Sequence, residues 1–205
     1  MSNITLEIKQ NIATIIFDLK DEKINKLSFE ILQEFNEKLD IIKDDTSIKA
    51  LLIDSAKKDI FIAGADIKEI EKLKNEKEVY DALLEVHDIF NKLENLPFPT
   101  IAYINGACIG GGLELALACK YRVLSTNEKT KLAFPEIKLG IFPGFAGTIR
   151  APKLIGLVNA LDLILTGKTI DAKKAHKIGL ADMIFDDAQK EFMMLYLKFM
   201  IFLIN

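Results

Sequence analysis

Glu114 stands where a glutamate has no ordinary reason to be. Between Asn105 and Lys120 it is the only ionisable residue apart from the thiols of Cys108 and Cys119, and Leu113, Leu115, Ala116 and Leu117 surround it. A helix over residues 113–119 has no polar face on which to carry it. An ionised carboxylate buried without a partner is costly, so its presence points to proton-transfer chemistry. Immediately upstream, Asn105-Gly106-Ala107-Cys108-Ile109-Gly110-Gly111-Gly112 sets three consecutive glycines between a strand and that helix. Bare N–H groups at a helix N-terminus gather partial positive charge and suit a negatively charged ligand atom. The spacing Gly-x-Gly-x-x-Gly of a dinucleotide loop is absent, and so is the Lys-Ser/Thr of a phosphate-binding P-loop.

Two further segments accompany this one. In Phe61-Ile62-Ala63-Gly64-Ala65-Asp66, small residues precede the helical-looking Ile67-Lys68-Glu69-Ile70. The residues alone leave two readings open: a tight turn in which Asp66 caps a helix, or a place where a ligand reaches the backbone N–H groups. The third segment is Phe134-Pro135-Glu136-Ile137-Lys138-Leu139-Gly140, followed by Pro143-Gly144-Phe145-Ala146-Gly147-Thr148-Ile149-Arg150. Taken by itself, Glu136 is an ordinary loop glutamate. Its weight comes from the company it keeps.

The elements that must position these residues follow from periodicity. Residues 4–8 and 12–18 alternate or run apolar around Gln10-Asn11, which predicts a hairpin. Ser28 is a candidate N-cap for a helix carrying Phe29, Leu32, Phe35 and Leu39 at helical spacing. Short apolar runs at 49–54, 99–104 and 121–125 predict buried strands, and 78–96 predicts a helix stopped by Pro97 and Pro99. Later helices are predicted over 146–155, 159–166 and 171–178. Strands alternating with helices give an α/β domain with crossover connections.

The bulk properties exclude several classes. With a net charge of −3, the chain lacks the strongly basic surface that non-specific nucleic-acid binding needs. His87 and His176 lie far apart with no ligand spacing around either, so no metal site is expected. No Gly-x-Ser-x-Gly elbow anchors a serine hydrolase. Two cysteines in apolar surroundings read as buried free thiols of a reducing compartment. The N-terminal residues lack the apolar core of a signal peptide, which predicts a cytoplasmic protein. Residues 192–204 are apolar apart from Lys198, too few for the roughly 20 residues that cross a bilayer, and without the stripe of a surface helix.

Taken in order and spacing, the three segments resemble the enoyl-CoA hydratase/isomerase (crotonase) superfamily over about residues 1–185. Ile62-Ala63-Gly64-Ala65-Asp66-Ile67 and the stretch from Gly106 to Arg122 resemble most the N-terminal hydratase half of multifunctional fatty-acid oxidation α-subunits. The resemblance implies a crotonase-like ββα spiral core at 1–185. It also implies hydration of trans-2-enoyl-CoA to 3-hydroxyacyl-CoA in β-oxidation. Glu114 and Glu136 would be the catalytic pair, and the N–H groups of Ala63 and Gly111 an oxyanion hole. Ala63, Gly64, Ala65, Asp66 and Gly111 would line the substrate site. No cofactor or metal is implied beyond the CoA carried by the acyl thioester. Isomerisation of enoyl-CoA or another crotonase reaction, a fragment of a multifunctional hydratase/3-hydroxyacyl-CoA dehydrogenase and an inactive remnant are the alternatives. Relatives carry a further C-terminal helical region for trimerisation, and assemble as trimers, hexamers or thiolase-associated complexes. Residues 186–205 therefore read as an atypical apolar tail from truncation or frameshift, with incomplete assembly expected.

Overall fold

A computed structural model of the chain describes residues 2–186. The apolar tail read from the sequence lies outside them. The chain opens with strands β1 (Ile4–Lys9) and β2 (Ile12–Phe17), paired antiparallel. Gln10 and Asn11 between them both have positive φ, 53° and 62°, the geometry of a two-residue turn whose twist matches the flanking strands. Helix α1 (Phe29–Ile42) then crosses over to β3 (Ala50–Ser55), which runs parallel to β2. The Ser28 hydroxyl accepts the Ile31 N–H at 3.2 Å, so the predicted cap starts the helix, and Ile31, Leu32, Phe35, Leu39 and Ile42 form its buried stripe.

From β3 onward the chain repeats one pattern of two strands followed by a helix. The short β4 (Ile60–Ile62) follows β3; α2 (Ile67–Ile70) and α3 (Glu76–Glu94) lead to β5 (Thr100–Ile104). Next come β6 (Ala107–Ile109) and α4 (Gly111–Ala118), then β7 (Tyr121–Ser125) and β8 (Lys131–Ala133). The first strand of each pair joins a six-stranded sheet in the order β1-β2-β3-β5-β7-β10, with β10 at Met183–Phe185. The second joins a four-stranded sheet, β4-β6-β8-β9, with β9 at Ile170–Asp171. This is the ββα spiral. Helices α5 (Gly147–Ile155), α6 (Leu157–Thr166) and α7 (Ala172–Lys177) fill the interval before β10.

The strands and helices predicted by periodicity are all present within a few residues. The second sheet was not visible in the sequence pattern. Its strands are two or three residues long, shorter than one readable cycle of alternation. The main core joins both sheets to the helices, with all eight residues of α4 buried in it, and a smaller cluster of Ala50, Leu52, Ile101, Tyr103, Val123 and Phe185 lies on the six-stranded sheet. Among the described residues no helix is long and apolar enough to cross a membrane.

Candidate active site

Burial of α4 leaves Glu114 only 2 % exposed. Its carboxylate is not orphaned: Oε1 accepts the Phe145 N–H at 2.8 Å and the Gly147 N–H at 2.7 Å. Burial nevertheless dominates and pushes its pKa from 4.5 to about 8, with the nearby Glu136 charge pushing the same way and the Gly147 N–H opposing. A methyl group on Gly147 would fall 2.8 Å from Glu114 Oε1, so the close approach that makes this bond requires glycine there.

Glu136 arrives from the opposite side, on a 3-10 helix at Pro135–Leu139 just after β8. It is half-buried, and burial raises its pKa too. Its Oε1 lies so close to the turn before α4 that a methyl on Gly110 would stand 2.7 Å away. Its Oε2 is buried and meets no donor among the described residues. An acceptor in that state is the feature a substrate proton or bound water satisfies.

The segment after β4 supplies the third component. Residues 25–27 run alongside it: Ala63 N–H donates to the Asn25 carbonyl at 2.8 Å, Leu27 N–H to Gly64 at 2.8 Å, and Asp66 N–H to Leu27 at 2.9 Å. This overturns one expectation. The Ala63 N–H is already taken and cannot serve as an oxyanion donor. Gly64, at φ +116°, kinks the chain, and among the described residues the Ala65 N–H beyond it meets no acceptor. A methyl placed on Gly111 would come within 3.3 Å of the Ala65 nitrogen. Gly111 opens α4, so its own N–H is one of the helix's unpaired first donors. Ala65 and Gly111 thus bring two neighbouring backbone donors to the site. Asp66 does cap α2, accepting the Lys68 N–H at 3.1 Å, and also pairs with Lys26 at 3.0 Å, so it acts on the backbone and the rim.

All these groups face one cavity of about 280 Å³ whose walls include Ala63, Gly64, Ala65, Asp66, Gly111, Glu114 and Glu136. The remaining lining is mostly aliphatic and aromatic, with Leu27, Phe29, Leu83 and Phe142 among it. The site thus joins two carboxyl groups, two N–H donors and an apolar chamber. The family model described as Enoyl-CoA hydratase/isomerase matches residues 7–200.

The chain belongs to this family.

Its similarity to curated members is substantial but partial. It is 46 % identical over 174 residues to the fatty acid oxidation complex subunit alpha of Vibrio parahaemolyticus, covering 85 % of this chain and 25 % of that protein. To the same subunit of Shewanella halifaxensis it is 48 % identical over 171 residues, covering 83 % and 24 %. The chain thus spans about a quarter of the length of these curated relatives. Among solved structures, an enoyl-CoA hydratase from Geobacillus kaustophilus matches with a TM-score of 0.91 at 33 % identity, over 98 % of this chain and 75 % of that one. The enoyl-CoA hydratase of Bacillus anthracis matches with a TM-score of 0.88 at 32 % identity, over 98 % and 76 %. The fold of this family member is the crotonase fold.

Two polar residues behind the site escaped the sequence reading. His87 on α3 donates from Nε2 to the Gly144 carbonyl at 2.7 Å. Arg150, buried, donates to the Phe145 carbonyl at 3.2 Å, and Glu94 and Asn91 of α3 hold it at 2.8 and 2.9 Å. Phe90 packs edge-on against Phe145, ring centroids 5.9 Å apart. These contacts hold the outer side of the loop whose inner N–H groups cradle Glu114. The signal was present in part: His87, Asn91 and Glu94 share one helical stripe. Their partners lie 56 to 59 residues onward, which spacing cannot reveal. Cys108 and Cys119 are free and buried in the core, and among the described residues no cluster of His, Cys, Asp and Glu is placed to hold a metal.

Proposed function

We propose that this site adds water across the double bond of a trans-2-enoyl-CoA, giving the 3-hydroxyacyl-CoA, in fatty-acid β-oxidation. The observation that carries the reading is the pairing of Glu114 and Glu136 across one apolar cavity, beside the two neighbouring N–H groups. Water bonds to the β-carbon through its oxygen as the π-electrons shift onto the thioester oxygen. That oxygen is received by the N–H groups of Ala65 and Gly111, and the loss of one such donor typically costs about 10²–10³ in rate. One carboxylate takes the proton released by the water, and the other carboxyl group delivers a proton to the α-carbon.

Two carboxyl groups this close titrate as a pair. With both pKa values raised, the pair retains a proton near neutrality, which is the state the reaction needs: one base and one acid. The atoms balance with water and the substrate alone, so the chemistry calls for no cofactor beyond the CoA of the thioester. Moving a double bond from the 3- to the 2-position needs only one of the two carboxyl groups, and the engagement of both in one cavity favours hydration. The test is direct. Purified protein is given crotonyl-CoA, and the ultraviolet absorbance of the conjugated thioester should disappear with formation of 3-hydroxybutyryl-CoA. Turnover of 3-enoyl-CoA without hydration of crotonyl-CoA would refute the reading in favour of isomerisation.

A further inference from the structure

The Ala65 N–H owes its direction to a residue outside the cavity. Asn25 is wholly buried, at 0 % exposed, and is not among the cavity walls. Its carboxamide ties together four parts of the chain. Oδ1 accepts the Leu19 N–H at 3.1 Å, while Nδ2 donates to the Phe17 carbonyl at 3.1 Å, the Ser55 hydroxyl at 2.9 Å and the Phe61 carbonyl at 3.1 Å. Three acceptors around two hydrogens mean that one hydrogen is shared, and every polar atom of the side chain is used. Phe17, Ser55 and Phe61 lie at or near the ends of β2, β3 and β4.

The main chain of the same residue completes the grip. Its carbonyl receives the Ala63 N–H at 2.8 Å, so Asn25 holds the segment at Phe61 with its side chain and at Ala63 with its backbone. Two residues on, Leu27 exchanges hydrogen bonds with Gly64 and Asp66. The kink at Gly64 is thereby fixed from both sides, and with it the place of the Ala65 nitrogen, which a methyl on Gly111 would approach to 3.3 Å. A fully satisfied buried polar group of this kind specifies geometry more than it adds stability.

We propose that Asn25 is a positioning residue for the oxyanion hole, setting the aim of the Ala65 N–H through the segment at residues 61–66. This rests on the hydratase reading above. It assigns Asn25 no contact with substrate. Displacing a catalytic group by about 1 Å can cost roughly 100-fold in rate, so loss of the carboxamide should appear in kcat.

The experiment compares the wild-type chain with Asn25→Asp and Ser55→Ala. Asn25→Asp keeps an acceptor for Leu19 but sets a carboxylate oxygen against the Phe17 and Phe61 carbonyls. Ser55→Ala removes one partner of Nδ2, together with the bond from its hydroxyl to the Ile60 carbonyl and the one it accepts from the Lys57 N–H, and is the milder change because it leaves the carboxamide in place. Two readouts are taken on folded protein: the kcat and KM for crotonyl-CoA, and the absorbance of bound dimethylaminocinnamoyl-CoA. The latter shifts to the red when the thioester carbonyl is polarised by its donors. Asn25→Asp should lower kcat by roughly 10- to 100-fold with KM changed by less than about 3-fold, and should shrink the red shift. Ser55→Ala should show the same signature, smaller. A purely structural role would lower the unfolding midpoint while leaving kcat per folded molecule and the red shift intact, and that result overturns the proposal. If Asn25→Asp does not fold, Ser55→Ala decides by the same two measurements. A wild-type chain that neither hydrates crotonyl-CoA nor shifts the chromophore refutes the hydratase reading itself, which separates the two failures.

Discussion

Replacing Glu114 with Gln should make the protein progressively more stable than the wild type as pH rises. The shift of the Glu114 pKa from 4.5 to about 8 measures how much the folded state prefers the neutral carboxyl group. At about 1.4 kcal/mol per unit, it amounts to about 5 kcal/mol between the two ends of that window. The sign is set by proton binding. Between pH 4.5 and 8 the native state holds a proton on Glu114 that the unfolded chain has released, so wild-type stability is full below the window and falls through it. Glutamine is neutral throughout and its carbonyl can still accept the Phe145 and Gly147 N–H groups. At pH 5 the two proteins should lie within about 1 kcal/mol of each other, the scale of one net hydrogen bond. By pH 9 the variant should lead by about 3–5 kcal/mol. Urea unfolding across the pH series measures both, and because Asp18, Glu34 and Asp66 titrate alike in the two proteins, their difference reports Glu114 together with its coupling to Glu136. A stability difference that stays constant from pH 5 to pH 9 would refute the claim that this carboxyl group is held neutral by burial.

Glu136→Gln should leave the fold intact and cut hydration of crotonyl-CoA by roughly 10²–10⁴-fold, the range of general acid–base catalysis; an unchanged rate removes Glu136 from the mechanism. His87→Leu should free the Gly144 carbonyl, loosen the N–H pair on Glu114 and move the upper limb of the kcat–pH profile further up, whereas His87→Gln, which retains a donor, should restore part of it. Coincident profiles for the wild type and His87→Leu would show that the loop needs no such anchor. Ala146 sits in the left-handed region at φ 72°, so Ala146→Gly should raise stability by about 1 kcal/mol, the side-chain penalty of that region less the entropy of glycine, with turnover unchanged. Denaturant unfolding checks it, and a less stable variant would contradict the strain.

The carboxylates and the larger elements were legible because each leaves a local trace. A glutamate among leucines with no polar face announces its own burial, and α1 and α3 carry apolar stripes of four or five residues. The unspent N–H lies at Ala65, two positions beyond the expected Ala63, and the reason is geometric. In an extended segment successive N–H groups alternate sides, but a positive φ at Gly64 breaks the alternation, and nothing in Ala-Gly-Ala says which alanine keeps its donor free. The pairing of residues 25–27 with 63–66 is likewise a contact between distant segments, so the hydrogen bonds of Asn25 leave no trace in an unremarkable Ile-Asn-Lys. The second sheet was illegible because its strands are held by neighbours and not by a pattern of their own.

The small sheet has a direction. Its strands β4, β6 and β8 run parallel, and the segment at residues 63–66, the glycine turn with Glu114, and Glu136 each follow directly from the carboxyl end of one of them. No single winding of the spiral holds an active centre, and no two of them hold a complete one. During folding or synthesis, the site therefore stays incomplete until the third winding has closed over the first, a long-range step whose loop entropy is spent before any contact rewards it. The amino ends of the same three strands carry only connections. There the windings interlock: a methyl on Gly106 would fall 2.1 Å from the Asp59 carbonyl carbon, and Asn105 donates from Nδ2 to the Ser55 and Lys57 carbonyls at 3.4 and 3.2 Å. One edge of the sheet answers to chemistry and the other to assembly.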